Sequence, residues 1–311
     1  MKRIEEFRMY YNHTIHPELL RMERRRLRLI RLFVLSGLIL AGIFLLEFYL
    51  DIWVLTLALA IPIGLFLFYL AYRIQRFRNT FKPNVINLVL DFIDDGVNYD
   101  VNYPLEYDPK GFIDRQRFLA SQIFATPAES YHGEDFITGK VGNLEFEMCE
   151  LFVSETSPVK NGLQQLFKGV FMHATFPEEA KGRIIIWPKR YRHRHFRAIR
   201  DFTWMGGVDV SEEILNPEFQ EAYLVYATNR THVIGILSEP MQQAIVDFRK
   251  ATGKEIYMSF INREIYAAVT EDKDLLEPHI LRSNLSFELI REFFSDIHML
   301  LEIAEDFDRT H

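Results

Sequence analysis

The fold of this chain is decided near its start, by LFVLSGLILAGIFLLEFYL at residues 32–50 and IWVLTLALAIPIGLFLFYLAY at residues 52–72. Both stretches are apolar, and the only charged residues between Arg31 and Arg73 are Glu47 and Asp51. Because a helix rises about 1.5 Å per residue, the second stretch reaches roughly 30 Å, enough to cross a hydrocarbon core. The sequence therefore predicts a transmembrane hairpin over residues 32–72.

Basic side chains flank this hairpin on both sides. Nine Lys or Arg residues precede it and four follow it before residue 83, whereas the link between the two stretches has none. Cytoplasmic flanks carry an excess of Lys and Arg, so the sequence predicts that both termini are cytoplasmic.

Two other membrane arrangements share some of these features. A secretory signal peptide also joins a basic region to an apolar run. Here the run begins about thirty residues into the chain, has no small-residue cleavage site and is followed by a second apolar run, so we reject this interpretation. A shallow hairpin that enters and leaves one side of the bilayer stays open, because the first uncharged run is short. It leaves both termini on the same side.

Charge is divided unevenly along the chain. Residues 1–82 hold 13 basic and 6 acidic side chains, whereas residues 83–311 hold 23 basic and 37 acidic ones. A soluble part this acidic repels nucleic-acid phosphate, so we expect no nucleic-acid partner. The single cysteine, Cys149, cannot form an internal disulfide, which is typical of a protein in a reducing compartment.

The chain divides into four predicted regions: a basic helical segment at 1–31, the hairpin at 32–72, juxtamembrane helices and a connector at 73–125, and a cytoplasmic domain at 126–311. In the third region we expect one helix to end before Pro83, a second to run from Pro83 to Phe92, and a short helix around Ile113–Phe124.

Alternating apolar and polar residues in the last region predict a half-buried antiparallel sheet. We expect turns at Gly139, Gly142-Asn143 and Asn262-Arg263, and helices at 239–251, capped by Ser238, and at 286–307. The predicted strands lie near residues 144–148, 170–176, 184–187, 223–227, 232–237, 255–261 and 264–270. The fold class is therefore α+β: an N-terminal two-helix transmembrane hairpin followed by a mostly antiparallel sheet with packed helices.

Several short motifs follow one another along the chain in this order: residues 121–124, YHGED at 131–135 with Gly139 and Gly142 behind it, FKGVF at 167–171, NPEF at 216–219 leading to Val225-Tyr226, and LSEPM at 237–241. In these motifs the chain resembles a bacterial family of uncharacterised membrane proteins with two N-terminal transmembrane helices and a cytoplasmic domain of unknown function. The resemblance implies location in the bacterial inner membrane, and it supplies no activity, cofactor or catalytic residue.

The densest group of titratable residues is His132, Glu134 and Asp135. A carboxylate beside a histidine can perform general acid and base catalysis, which makes these three the candidate catalytic residues. Such catalysis also needs a nucleophile, a metal or an anion hole, and none can be assigned. A solvated turn that leads into a strand explains the same run of residues.

A second group of candidates is basic. Six cations lie close together in an acidic domain, and an anionic lipid or a phosphorylated partner would be attracted to them: Lys189, Arg190, Arg192, Arg194, Arg197 and Arg200. A solvated loop that balances local acidity is the alternative interpretation. Arg24, Arg25 and Arg26 adjoin the first span and are candidate lipid contacts, although such arginines also serve orientation alone.

Metal binding is not expected. His193 and His195 would share one face of a strand, but no further His or Cys lies nearby and two ligands are too few.

These patterns predict a membrane-anchored cytoplasmic module that binds or scaffolds an unknown partner, without a recognisable catalytic motif or a cofactor. Its expected partners are anionic membrane lipids and an unidentified protein, and a homo-oligomer is possible. The alternatives are a subunit of an oligomeric transport or export assembly, and a membrane-bound hydrolase built on His132, Glu134 and Asp135.

Overall fold

A computed structural model describes residues 2–50, 53–97, 104–141, 144–157, 162–175, 182–228, 233–273 and 283–310. Contacts between Cα atoms divide the chain into two compact units. The helical unit comprises Met1–Phe92 and Leu276–Arg291, and the sheet unit comprises Ile93–Leu275 and Glu292–His311.

The helical unit begins with an almost unbroken helix: α1 (Lys2–Tyr10), a π-helical turn (Tyr11–Ile15) and α2 (His16–Leu50). Among the described residues one helix, over Ile4–Leu46, is long and apolar enough to cross a membrane. Only 6% of its most apolar 18-residue window is buried, so its apolar side chains do not form a protein core.

The second predicted span lies in helix α3 (Trp53–Val97), and residues 51–52, where the predicted hairpin turns, are outside the described residues. The predicted helix break at Pro83 is wrong, because α3 continues through Pro62 and Pro83. A proline removes one helical hydrogen bond, but packing of the following turns holds the helix together. Val85, Ile86 and Val89 are fully buried just beyond Pro83.

Aromatic rings pack against each other at the N-terminal end of the helical unit. The ring centroids of Phe7 and Phe92 are 5.2 Å apart, and those of Tyr11 and Phe287 are 4.9 Å apart. Tyr11 also donates its hydroxyl to the carbonyl of Leu285 at 2.9 Å. Residues near 285–287 therefore anchor the first turns of the chain.

The sheet unit contains a nine-stranded sheet in the order β1-β2-β3-β4-β9-β8-β5-β7-β6, and every neighbouring pair is antiparallel. This confirms the α+β class with an antiparallel sheet. The strands are β1 (Glu106–Asp108), β2 (Ser130–Val141), β3 (Leu144–Thr156), β4 (Leu163–Thr175), β5 (Arg183–Pro188), β6 (Val208–Asp209), β7 (Tyr223–Ala227), β8 (Ile256–Ile261) and β9 (Glu264–Thr270).

The helices between and after the strands are α4 (Arg115–Ala120), α5 (Phe196–Trp204), α6 (Pro217–Ala222), α7 (Val233–Ile236), α8 (Glu239–Thr252) and α9 (Phe287–Thr310). Single-turn 3₁₀ helices occur at Lys189–Tyr191 and Ser211–Glu213. Ser238 caps α8 as predicted, since its side chain accepts a hydrogen bond from the Met241 amide.

Two local predictions are wrong, and a third is confirmed with narrower bounds. The strand predicted at 232–237 is helix α7 over its described part, because a short apolar run fits a buried helix as well as a strand. Gly139 lies inside β2, opposite Phe146, rather than in a turn. The short helix predicted around Ile113–Phe124 is confirmed as α4, with narrower bounds. Gly142 and Asn143 lie outside the described residues.

The central strands are buried on both faces, so the prediction of a half-buried sheet is wrong there. On one face Phe171 and Trp187 pack in a cluster with Phe118 of α4 and Phe202 of α5. Alternate positions such as Met172, which face the other side, are also buried. Helices that cover both faces of a sheet remove the alternation that a one-sided core requires.

Candidate functional site

The first candidate site is an acidic cluster at a β-bulge in β2. The register between β2 and β3 shifts between Glu134 and Ile137, and Asp135 adopts a positive φ of 59° there. Antiparallel pairing places Glu134 opposite Glu150. One carboxylate oxygen from each of Glu134, Asp135 and Glu150 lies within 4.8 Å of the others.

The edge strand β1 holds this bulge in place. Tyr107 donates its hydroxyl to Oδ1 of the buried Asp135 at 2.5 Å. Burial, followed by the negative charge of Asp135, raises the pKa of Tyr107, so the hydroxyl stays protonated and remains a donor. The bulge and the edge strand therefore orient Asp135 together.

A cavity of about 230 Å³ lies beside the cluster, lined by His132, Gly133, Glu134, Glu150, Phe152 and Lys168. Two of the three predicted catalytic residues, His132 and Glu134, thus share a cavity, whereas Asp135 is not in its lining. Glu150 and Lys168 were missed by the sequence prediction. Strand register brings them there, and no spacing along the chain indicates which residues of β3 lie opposite β2 or which residues of β4 lie opposite β3.

The described lining of the cavity has groups for acid and base catalysis but no hydroxyl or thiol nucleophile. Within the described part of the chain, its lining includes no Ser, Thr or Cys. Cys149 adjoins Glu150 in β3, but it belongs to the core cluster, accepts a hydrogen bond from the Ile113 amide and is buried. Burial raises the pKa of the Cys149 thiol to about 12, which disfavours the reactive thiolate.

A second polar centre surrounds His173 in β4. Its Nδ1 lies 3.2 Å from Oε1 of Glu147, and its Nε2 contacts Glu264. Arg117 of α4 also forms an ion pair with Glu147. Burial acts to raise the pKa of Glu147, but the hydrogen bonds from His173 and Arg117 outweigh it and lower the pKa. Arg117, Glu147 and His173 line part of a cavity of about 460 Å³.

The third candidate is the basic segment that the sequence indicates. It is a 3₁₀ turn followed by α5, and its cations stand beside exposed aromatic rings. Phe196 is 68% exposed and Trp204 is 82% exposed, whereas Phe202 lies in the core. We name this the basic–aromatic surface, made of Lys189, Arg190, Arg192, Arg194, Phe196, Arg197, Arg200 and Trp204.

Contacts with rings and carbonyls arrange several cations of this surface. The guanidinium carbon of Arg194 lies 5.0 Å from the Tyr191 ring centre, and that of Arg200 lies 5.5 Å from the Trp204 ring centre. Lys189 donates to the carbonyl of Gln220 at 2.6 Å. The basic–aromatic surface is therefore built on ordered elements, and most of its charge faces solvent.

The two histidines of this segment do not form a metal-binding pair. Residues 192–195 form turns, so the strand that would place both imidazoles on one face is absent here. His193 is exposed, whereas His195 is buried against Tyr257, with ring centroids 5.2 Å apart. Burial lowers the pKa of His195 to about 4, so this imidazole is neutral at pH 7.

The three arginines predicted as lipid contacts in α2 lie in different environments. Arg26 is buried and forms a two-point ion pair with Glu23, at 2.9 and 2.6 Å. Arg24 is exposed on the helix surface. Arg25 is exposed and lines a cavity between α2 and α3. Their adjacency in sequence therefore does not give them a common role.

Comparisons with known proteins found similarity to a family of unknown function and to a solved structure. A family described as a protein of unknown function, DUF3137, matches residues 165–309, which supports likeness to an uncharacterised family. No curated protein matches the chain significantly. The crystal structure of the mycobacterial trehalose monomycolate transport factor A is similar over 66% of this chain and 88% of that one, with 8% identity and a TM-score of 0.35.

Proposed function

We propose that this protein is a membrane-anchored module of the bacterial inner membrane, with both termini cytoplasmic. Its basic–aromatic surface binds an anionic partner, and we take anionic lipid as that partner. The observation that carries this proposal is the juxtaposition of exposed cations with the exposed rings of Phe196 and Trp204 on one short helix.

The anchor is supported by apolar surface that a soluble protein does not leave open. Leu38, Leu45 and Leu46 of α2 are 66%, 72% and 53% exposed, and Leu65 and Phe68 of α3 are 67% and 76% exposed. Exposed apolar area of this extent is favourable in lipid and unfavourable in water. We therefore retain both predicted spans, residues 32–50 and 52–72, as parts of the proposed anchor.

The basic–aromatic surface has the chemistry of a membrane interface. Each Lys or Arg near an anionic bilayer contributes about 1 kcal/mol of attraction. Tryptophan partitions to the head-group region because its ring is apolar and its indole N–H is polar. The exposed Trp204 lies beside Arg200, which also pairs with Asp201 at 3.1 Å, and the neighbouring exposed Arg190, Arg192, Arg194 and Arg197 add further positive charge to the surface.

Full-length protein in proteoliposomes tests this proposal. Emission of Trp204, isolated as the difference between the wild type and Trp204→Phe, should shift to shorter wavelength with phosphatidylglycerol and not with phosphatidylcholine alone. Arg190→Gln/Arg194→Gln should abolish the shift. Lys110→Gln/Arg263→Gln removes two exposed cations elsewhere on the sheet unit and should leave it unchanged. Equal emission in both lipids would refute the surface contact.

A membrane-bound hydrolase is a second proposal, favoured by the shared cavity of His132, Glu134, Glu150 and Lys168. It requires that Glu134→Gln abolish turnover of an ester or phosphoester at unchanged stability.

A role in a transport or export assembly requires further subunits, because two apolar spans have no polar path of their own. Native mass spectrometry after mild detergent extraction should then show an oligomer or a larger complex.

A further inference from the structure

A cavity of about 610 Å³ lies between α2 and α3 in the helical unit. Its polar lining consists of four arginines, a threonine and an asparagine: Arg25, Arg28, Arg73, Arg76, Thr80 and Asn84. Residues three apart share a helix face, so each helix presents one pair of arginines to the cavity. The cavity is therefore cationic on both of its walls.

Two arginines of α2 that lie outside the cavity lining pair with carboxylates. Arg21 pairs with Glu18 at 2.9 Å, and Arg26 pairs with Glu23. Within the described part of the chain, no carboxylate lies within ion-pair distance of the four cavity arginines, and the cavity lining contains no acidic residue. All four arginines are exposed, so solvent and salt screen part of their mutual repulsion, and an anion held between them would reduce it further.

The cavity lining also includes apolar and neutral polar side chains. Phe81 and Met22 are buried at its base, at 2% and 6% exposure. Thr80 donates its hydroxyl to the carbonyl of Arg76 at 2.7 Å, and its oxygen can still accept a hydrogen bond. The Asn84 amide adds a neutral donor and acceptor at the same face of α3.

The cavity lies where the exposed apolar surface of both helices begins. Arg28 is one helical turn before Leu32, which is 37% exposed, and Arg73 directly follows Tyr72, which is 60% exposed. The guanidinium carbon of Arg73 lies 5.8 Å from the ring centre of Tyr69. Arginines and tyrosines at the end of an apolar span are placed at the depth of lipid head groups.

We propose that this cavity binds the phosphate of an anionic phospholipid head group. Guanidinium groups bind phosphate oxygens through two parallel hydrogen bonds, which a set of arginines on two walls can supply from both sides. The inference rests on the proposed membrane anchor and not on the basic–aromatic surface. The group that the cavity would recognise is a phosphate monoanion. A soluble phosphate could supply the same group and is the competing ligand.

Binding is measured on the full chain in nanodiscs by titrating a fluorescent phosphatidylglycerol. Arg25→Gln/Arg28→Gln and, independently, Arg73→Gln/Arg76→Gln should each weaken binding at least tenfold, since hydrogen bonds to charged groups each contribute about that factor or more. Arg8→Gln/Arg21→Gln is the matched control: it removes the same charge from exposed positions of α1 and α2 outside the cavity lining, and less than a twofold change is expected. Circular dichroism checks the fold of each variant.

Other outcomes separate the possible failures. Equal weakening by the control and cavity variants would overturn the site, because a diffuse charge effect would then explain binding. Millimolar inorganic phosphate or glycerol phosphate could also displace the fluorescent lipid from the protein. If they do, and the protein retains these two soluble phosphates equally, the ligand of the cavity is a soluble phosphate and the lipid source is overturned. Extraction of the wild type from membranes at alkaline pH would instead overturn the proposed anchor.

Discussion

Replacing Lys254 by methionine should destabilise the sheet unit by about 3–5 kcal/mol, the cost of removing one partner of a buried ion pair. Lys254 is 8% exposed, and its Nζ lies 2.7 Å from Oδ2 of Asp296 and 3.2 Å from Oε1 of Glu292. Glu271 contacts the same ammonium. Methionine has a similar length, so the variant removes the charge with little change of volume.

The loss of stability should depend on pH. Burial raises the pKa of Asp296 to about 7, although the ammonium of Lys254 opposes this shift. Between about pH 4 and pH 7, folded Asp296 therefore holds a proton that the unfolded chain has released, so its contribution to the free energy of unfolding falls as pH rises. Without Lys254 the charged form of Asp296 is less favourable still. The effect of Lys254→Met should then be larger at pH 8 than at pH 5.

Thermal unfolding of the full chain in mild detergent, followed by near-ultraviolet circular dichroism, measures the effect. A loss of 3–5 kcal/mol corresponds to a decrease in Tm of roughly 6–20 °C for a unit of this size. Lys250→Met is the matched control, because Lys250 pairs with Glu218 at 56% and 50% exposure and such pairs contribute less than about 1 kcal/mol. Equal Tm values for the two variants at pH 8 would refute the reasoning, as would a larger loss at pH 5.

Three further substitutions test the sheet unit. Gly169→Ala should prevent β4 from pairing with β9, because Gly169 has a φ of 148° and an added Cβ would lie 2.0 Å from the Val269 carbonyl oxygen; loss of soluble expression or of strand protection in hydrogen exchange would show it. Ser238→Ala removes the cap of α8 and should lower the free energy of unfolding by about 1 kcal/mol in urea titration; an unchanged midpoint would contradict the capping role. Glu147→Gln should cost about 2 kcal/mol at pH 7, the scale of charge-assisted hydrogen bonds. Since the hydrogen bonds from His173 and Arg117 lower the folded pKa of Glu147 from 4.5, this loss should shrink progressively as pH falls below 4.5 and Glu147 takes up a proton; a loss that does not shrink would exclude the charge of Glu147 as its cause.

Local patterns predicted the element types well where two signals agreed. Helix α8 combines the Ser238 cap, an apolar face and a terminal Gly253 with a φ of 73°, and it was predicted almost to its ends. The Asn262-Arg263 turn between β8 and β9 was also predicted, since two apolar strands flank it closely. The errors included Pro83, where packing of the following turns overrode the local preference, and residues 233–236, where a short apolar run fits a buried helix as well as a strand.

The sequence predicted individual site residues but not which residues lie together in space. His132 and Glu134 were chosen as a dense titratable run, and they do line a cavity together. Glu150 and Lys168 complete that cavity through pairing across three strands, which sequence spacing does not record. Likewise, six clustered cations were visible from residue 189 onward, but the exposure of Phe196 and the burial of Phe202 follow from how α5 packs.

Composition and period by themselves determined that this chain has long apolar helical stretches near its start, an acidic α+β part after them and no recognisable catalytic motif. These properties are local, because hydropathy and charge act over one helix or strand. Tertiary structure decided which arginines share a space: Arg26 is matched by Glu23, whereas Arg25 faces arginines almost fifty residues away in α3. The reason is that Coulomb energy depends on distance and burial, and both are set only when the helices pack.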